Sequence, residues 1–324
     1  NKHKVVKEVA AQKAVHYYAE LMEEINQDRE AHGKKPFDDD NTSATPTRTI
    51  TKSATDPDAG MFHKSEKERC FAYTAHVVCV RNNFVVAVDV SPGNVNDSVM
   101  FDRVFKEVTD KFKQIDSIAV DAGYKTPWIA KQIIDAGILP AMPYKRPQTK
   151  PGFFRKYEYV YDEYYDCVIC PENQTLKYST TNRHGYREYK SDPRICKNCQ
   201  FLSQCTRSKN HTKVVTRHVW QDYLEQTEEI RHSPKGKYVY SLRAQTIERV
   251  FGDAKEKHGM RYTQLRGVAK IKAQTLLVFA CMNLKKLVKW KQKRGACAFV
   301  CIWLKIKATL TGFVIQKRVL SFNT

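Results

Sequence analysis

The sequence predicts an α/β core carrying a separate cysteine-rich module, and three observations lead there. From Cys70 the apolar pattern reads hairpin, helix, strand, helix, strand. Beyond Lys145 about ninety residues break that rhythm and hold five of the ten cysteines. Around Lys235 a helical period returns and continues to about Trp290. Strands alternating with helices imply a mixed sheet with a parallel interior and an antiparallel edge.

The hairpin comes first. Cys70–Val80 and Phe84–Ser91 are apolar or alternating, rich in β-branched residues, and joined by Arg81-Asn82-Asn83. Pro92-Gly93 ends it, and Asp97 or Ser98 is placed to cap a helix with Phe101, Val104, Phe105, Val108 and Phe112 inside. Ile118-Ala119-Val120 is a short buried strand ending in Asp121. Thr126-Pro127 reads as an N-cap followed by Pro at the first helical position, with the helix closing at Gly137 and a strand over Ile138–Met142. Asp121 thus falls at the carboxyl end of an interior strand, where open α/β sheets place their chemistry. A cap for the following turn is its plainer role.

Upstream, Lys4–Arg29 reads as one helix with Val15, Tyr18, Met22 and Ile25 on a face, and His32–Ala59 as a linker. Downstream, Tyr240–Lys255 reads as one helix, with Ile247, Val250, Phe251 and Ala254 at i, i+3, i+4 and i+7. Glu248 and Lys255 return to nearly one face of it. A solvated Glu–Lys surface helix has the same pattern. The tail after Gly295 shows no clear period.

Composition bounds the partners. Lys and Arg number 55 against 35 acids, a formal charge of +20 with a pI near 9.4. Such an excess favours nucleic acid over a membrane surface as partner. No charge-free apolar run approaches the roughly 20 residues of a membrane span. No signal peptide opens the chain, which starts at Asn1 inside a charged pattern and reads as a fragment.

The cysteines are spaced as a metal site rather than a disulfide framework. Cys167 and Cys170 form one C-x-x-C turn and Cys196 and Cys199 another, with Cys205, His211 or His218 as alternatives for one ligand. Two such turns can close a tetrahedral Zn²⁺ site and fold a module with little core. Separate reduced thiols are the alternative. Between the turns, Lys177–Lys190 alternates tyrosine with base, a pattern suited to phosphate contact and base stacking, or to a solvated hairpin.

Four segments in combination resemble a DDE-type bacterial insertion-sequence transposase: TDPDAGMF (Thr55–Phe62), SPGNVNDS (Ser91–Ser98), VDAGYKTP (Val120–Pro127) and TIERVFGDAKEKHGMRYTQLRG (Thr246–Gly267). The branch resembled carries a cysteine-rich insertion before the catalytic Glu helix. The resemblance implies an RNase H-like mixed sheet flanked by helices, interrupted by a zinc-binding insertion. It implies metal-dependent cleavage and strand transfer at the ends of the element, through a two-metal Mg²⁺ site. Asp121 matches the second catalytic Asp and Glu248 the catalytic Glu, both as Mg²⁺ ligands. Tyr240, Arg243, Glu248 and Lys255 match the family's Y-R-E-K signature, with Tyr240, Arg243 and Lys255 toward DNA phosphate. The spacing here is one residue longer between Arg and Glu.

The first catalytic Asp is expected to lie upstream of Asn1, making the chain N-terminally truncated. Asp56 and Asp58 are the local substitutes, with turn capping as their plainer role. The expected layout is 1-55, helix and linker; 56-148, first part of the core; 149-236, insertion; 237-294, second part with the Glu helix; 295-324, tail. Partners implied are double-stranded DNA and a second copy in a homodimer, with no membrane, in a bacterial cytoplasm near the nucleoid. The alternative reading is a catalytically inactive, zinc-dependent DNA-binding protein derived from a transposase.

Overall fold

The computed structural model describes residues 3–9, 15–38, 47–63, 69–294 and 313–322. The chain opens with β1 (His3–Val9), α1 (Val15–Ala31), β2 (Thr47–Ser53) and β3 (Gly60–His63). The single helix expected over Lys4–Arg29 is therefore divided. Its first part pairs antiparallel with β2, from His3 opposite Ser53 to Val9 opposite Thr47. Valines in β1 and threonines with Ile50 in β2 favour extended backbone, which overrides a helical charge pattern. In α1 the buried row is Leu21, Met22, Ile25 and Asp28, while Tyr18 is exposed.

Next come β4 (Arg69–Val80), β5 (Val85–Pro92), α2 (Asp97–Lys111), β6 (Ser117–Val120), α3 (Pro127–Asp135) and β7 (Leu139–Ala141). This is the order expected from the apolar pattern. The cap of α2 is Asn96, whose side chain accepts from the Ser98 amide, rather than Asp97 or Ser98. Thr126 caps α3 as expected, accepting from the Ile129 amide at 3.3 Å with Pro127 behind it.

The cysteine-rich stretch forms β8 (Val160–Asp162), β9 (Cys167–Ile169), β10 (Thr175–Thr181), β11 (Tyr186–Lys190), the short α4 (Pro193–Cys196) and α5 (Leu202–Cys205), and β12 (Val214–His218). The chain then runs through α6 (Gln221–His232), α7 (Pro234–Gln245), α8 (Ile247–Lys257), β13 (Tyr262–Thr263), α9 (Val268–Arg294) and β14 (Phe313–Phe322).

Two compact units result. One gathers residues 1–11, 44–144 and 223–324; the other gathers 12–43 and 145–222. The first holds a mixed sheet in which β14 lies between β4 and β6. β14 is antiparallel to β4 and parallel to β6, and β6 is parallel to β7. The tail read as patternless thus supplies a strand paired on both edges, to β4 and to β6. The core joins Ala75, Val77 and Cys79 of β4 to the inner faces of α8 and α9. On α8 that face is Ile247, Val250, Phe251 and Ala254, all at or below 1% exposure, as the period predicts. On α9, Asn283 clamps both backbone groups of Val85 at 3.0 and 2.8 Å.

The second unit is a five-stranded antiparallel sheet, β12-β11-β10-β9-β8, with α1 attached. Asp28 of α1 accepts from Arg187 of β11 at 2.6 Å, and Arg29 donates to Thr180 and the Thr181 carbonyl. Tyr189 is fully buried against Val168 and Leu176, and Tyr178 packs on the same cluster. The tyrosines of Lys177–Lys190 expected to stack on bases are therefore partly spent on this core.

Candidate active site

Asp121 directly follows β6 with its backbone still extended. Its Oδ1 accepts the Ala122 amide at 2.7 Å, which caps the turn over Ala122–Tyr124. The same oxygen lies 3.5 Å from the Arg243 guanidinium, and about a third of the side chain is open to solvent. The capping role and the site role coexist, since both contacts fall on Oδ1.

The turn after Asp121 is tightly packed. A Cβ on Gly123 would come within 2.1 Å of an Asp97 carboxylate oxygen, so only glycine fits there. Asp97 is buried at the start of α2. Tyr124, fully buried, meets His76 Nδ1 at 2.6 Å through its hydroxyl, and His76 Nε2 meets Ser91 Oγ at 3.0 Å. Burial first, then the charges of Asp97 and Asp121, push the Tyr124 phenol well above its usual range and keep it neutral. Asp97, His76, Ser91 and Tyr124 were not picked out as site residues by sequence reasoning. Ser91 and Asp97 lie within the SPGNVNDS segment and Tyr124 within VDAGYKTP, while His76 carried no signal beyond its place in the hairpin.

The stretch expected as one helix is broken at Thr246, whose φ and ψ are −113° and −93°. Its hydroxyl bonds the Leu242 carbonyl at 2.7 Å, a back-bond that competes with the helical ladder. The break ends α7, which carries Tyr240 and Arg243, and starts α8, which carries Glu248 and Lys255. Arg243 is 5% exposed and donates to the Tyr240 hydroxyl at 2.7 Å. Its Nε is buried with no hydrogen-bond partner among the described residues. A buried guanidinium with an unmet donor beside a carboxylate suits a bound anion. Glu248 stands in the first turn of α8, exposed and in no hydrogen bond or ion pair among the described residues. Lys255 lies two turns further on, half-buried.

Around this region Glu228 of α6 pairs with Lys125 and, at 2.7 Å, with Arg231. Burial raises and these two cations lower the Glu228 carboxyl, with a net fall below its usual range. Asp56 and Asp58 are engaged elsewhere. Asp56 accepts from the Gly267 amide at 3.2 Å and the Tyr73 hydroxyl at 3.0 Å, and Asp58 from the Val268 amide at 3.2 Å. They close the N-terminus of α9.

The metal sites expected from the sequence are not assembled. Among the described residues, no three His, Cys, Asp or Glu side chains converge to hold a metal ion. Register explains this at Asp121. The last paired residues beside β6 are Ile315 on β14 and Ala141 on β7, opposite Val120 and Ala119 respectively. Continuing each strand past those pairs brings Gln316 and Pro143 level with Asp121, and neither is an acid. Asp121 and Glu248 are two carboxylates, fewer than a two-metal site takes.

The expected zinc set of Cys167, Cys170, Cys196 and Cys199 is not brought together either. Cys167 is buried on β9 with Asp162 and Asp166 as its charged neighbours, whereas Cys205 neighbours Cys196 and Cys170 and meets the Tyr159 hydroxyl at 3.2 Å. Cys167 is held inside β9 while Cys170 opens the turn after it, so the first pair does not sit together on one tight C-x-x-C turn. All described cysteines, these five included, are free thiols.

The site thus joins a carboxylate at a strand's carboxyl end to a buried guanidinium with one unmet donor, on an α/β fold. Residues 169–288 match the family model described as Transposase DDE domain. The resemblance to a DDE-type transposase is thus borne out for that stretch, which includes Glu248, Arg243 and Tyr240, and it supports a transposase-type function with DNA as partner. No curated protein and no solved structure matches. Among the described residues no helix is long and apolar enough to cross a membrane.

Proposed function

We propose that this chain is a transposase that cuts and joins DNA strands at the ends of its insertion sequence, on an RNase H-like core. The observation that carries the reading is Arg243. Its buried guanidinium contacts Asp121 at 3.5 Å, leaves Nε unmet, and sits five residues before Glu248. A scissile phosphate entering here would find that donor, while Asp121 and Glu248 supply carboxylate charge. A divalent cation held by those two acids with the phosphate would offset charge on the reacting oxygens. Tyr240 keeps Arg243 oriented through its hydroxyl. Lys255 is placed for phosphate further along α8. Joining two ends of one element calls for two copies of the site, hence a homodimer on duplex DNA in the cytoplasm.

The test is nicking of a supercoiled plasmid carrying the element's ends, with Mg²⁺ or Mn²⁺. Asp121→Asn and Glu248→Gln should each lower the rate by roughly 10²–10³, the loss of several kcal/mol of charge stabilisation. Nicking that survives both changes refutes the reading.

A second reading is favoured by one observation, the engagement of Asp56 and Asp58, the local substitutes for a further acid, at the N-terminus of α9. In it the chain binds DNA and does not cut. Duplex binding without nicking in either metal would select it.

A further inference from the structure

The unit built on β8–β12 holds a cavity of ≈ 330 Å³ that no part of the reading above uses. Its lining includes Lys150, Lys156 and Lys213 together with Phe153, Phe154 and Tyr159, and no acidic residue. The aromatic walls are fixed from behind. Tyr159 turns its hydroxyl onto Cys205 Sγ at 3.2 Å, so its ring, not its polar end, is offered to the cavity side. Phe154 stands edge-on to Tyr159 at 6.4 Å and to Phe201 at 5.9 Å, and its amide is tied to the Gln204 carbonyl. Arg207 lies over the Phe153 ring at 5.0 Å.

The cations are held in place as well. Lys213 lies 4.9 Å from the centre of the Tyr159 ring and donates to the Cys205 carbonyl at 3.0 Å. Lys150 and Lys156 are exposed at the mouth. The nearest acid in sequence, Glu158, is turned away onto the Arg155 amide at 2.5 Å.

We propose that this cavity takes one unpaired nucleotide of a DNA strand, its base against Phe153 and Tyr159 and its phosphate between Lys150 and Lys156. The volume is at the small end of the ~300–1,000 Å³ range of ligand pockets, too small for a duplex edge. Aromatic faces joined to lysines form the combination that binds single strands without reading sequence. The proposal rests on the reading that DNA is the partner. It adds that this unit grips a strand which has left the helix, as strands do when an end is opened for cutting.

The experiment uses the full chain and fluorescence anisotropy with a labelled 12-nucleotide single strand and, separately, its blunt duplex. Lys150→Gln with Lys156→Gln should weaken single-strand binding about tenfold and flatten its salt dependence by about 0.7 in log–log slope, the share of one phosphate. Phe153→Leu, which keeps apolar volume but removes the π-face, should weaken it about fivefold or more with the salt slope unchanged. Phe153→Tyr should restore it. Duplex affinity should move less than twofold throughout. Single-strand affinity within twofold of wild type in both the lysine pair and Phe153→Leu overturns the proposal, as does an equal loss for strand and duplex. Plasmid nicking by the same variants separates the two ideas. Nicking retained with no strand preference sinks the cavity alone, whereas a working cavity in a chain that never nicks sinks the catalytic reading alone.

Discussion

Acid should destabilise the β8–β12 unit through a single ring, that of His218 at the end of β12. The side chain is 5% exposed, edge-on to Tyr186 at 5.0 Å and 5.5 Å from Trp220. Its Nδ1 accepts the Trp220 amide at 3.1 Å, so a proton there would set two donors against each other. Burial lowers its pKa from 6.5 to about 4. The unfolded chain takes up the proton near pH 6.5 and the folded one only near 4. Between those values the unfolded state binds more protons, so stability rises with pH. It is fully present above about 6.5 and is lost as pH falls toward 4.

The whole window is worth ~3 kcal/mol, at 1.36 kcal/mol per unit, and the fall from pH 7.5 to 5.0 accounts for ~2 kcal/mol of it. His218→Asn keeps an acceptor for the Trp220 amide and cannot titrate. Urea unfolding at pH 7.5 and 5.0, read by hydrogen exchange in β11 and β12, compares the two proteins. The variant should start ~1 kcal/mol lower from lost ring packing, then show a pH loss smaller by ~2 kcal/mol. Equal pH slopes in the two proteins would refute the assignment.

Two stability predictions accompany it. Gly236, in the first turn of α7, has no room for a side chain, because a Cβ would lie 1.8 Å from the Ile230 carbonyl oxygen. Gly236→Ala should cost about 3 kcal/mol by forcing α6 and α7 apart, seen as a lower urea midpoint with unchanged slope. Asp56→Ala strips the Gly267 amide and the buried Tyr73 hydroxyl of their acceptor. It should cost about 2 kcal/mol by thermal unfolding, and a change below 0.5 kcal/mol would mean water replaces the carboxylate.

Where local chemistry decided the outcome, the sequence was readable. The β4–β5 hairpin, the Thr126-Pro127 start of α3 and the inner face of α8 follow from alternation, capping and the 3.6 period. Each depends on neighbours within one or two turns of chain. The failures share the opposite property. The break at Thr246 turns on a hydroxyl bond that a helical period cannot reveal. β1 exists because Thr47–Ser53, some forty residues later, pairs with it. The cysteine spacing suggested two chelating turns, but Cys167 lies in a strand whose register is set by β8 and β10.

At the site the division is similar. The kinds of chemistry present — one acid at a strand end, a second on an amphipathic helix, arginine and lysine flanking it, and a strong excess of positive charge — could be read from residue order, because composition and short-range period are written there. That Arg243 is buried against Asp121, that Asp97 packs under Gly123, and that the strand beside β6 brings no acid level with Asp121 were decided only in three dimensions. The reason is physical: burial and convergence depend on which distant segments pay the entropy of coming together, and strand pairing across two hundred residues leaves no local mark.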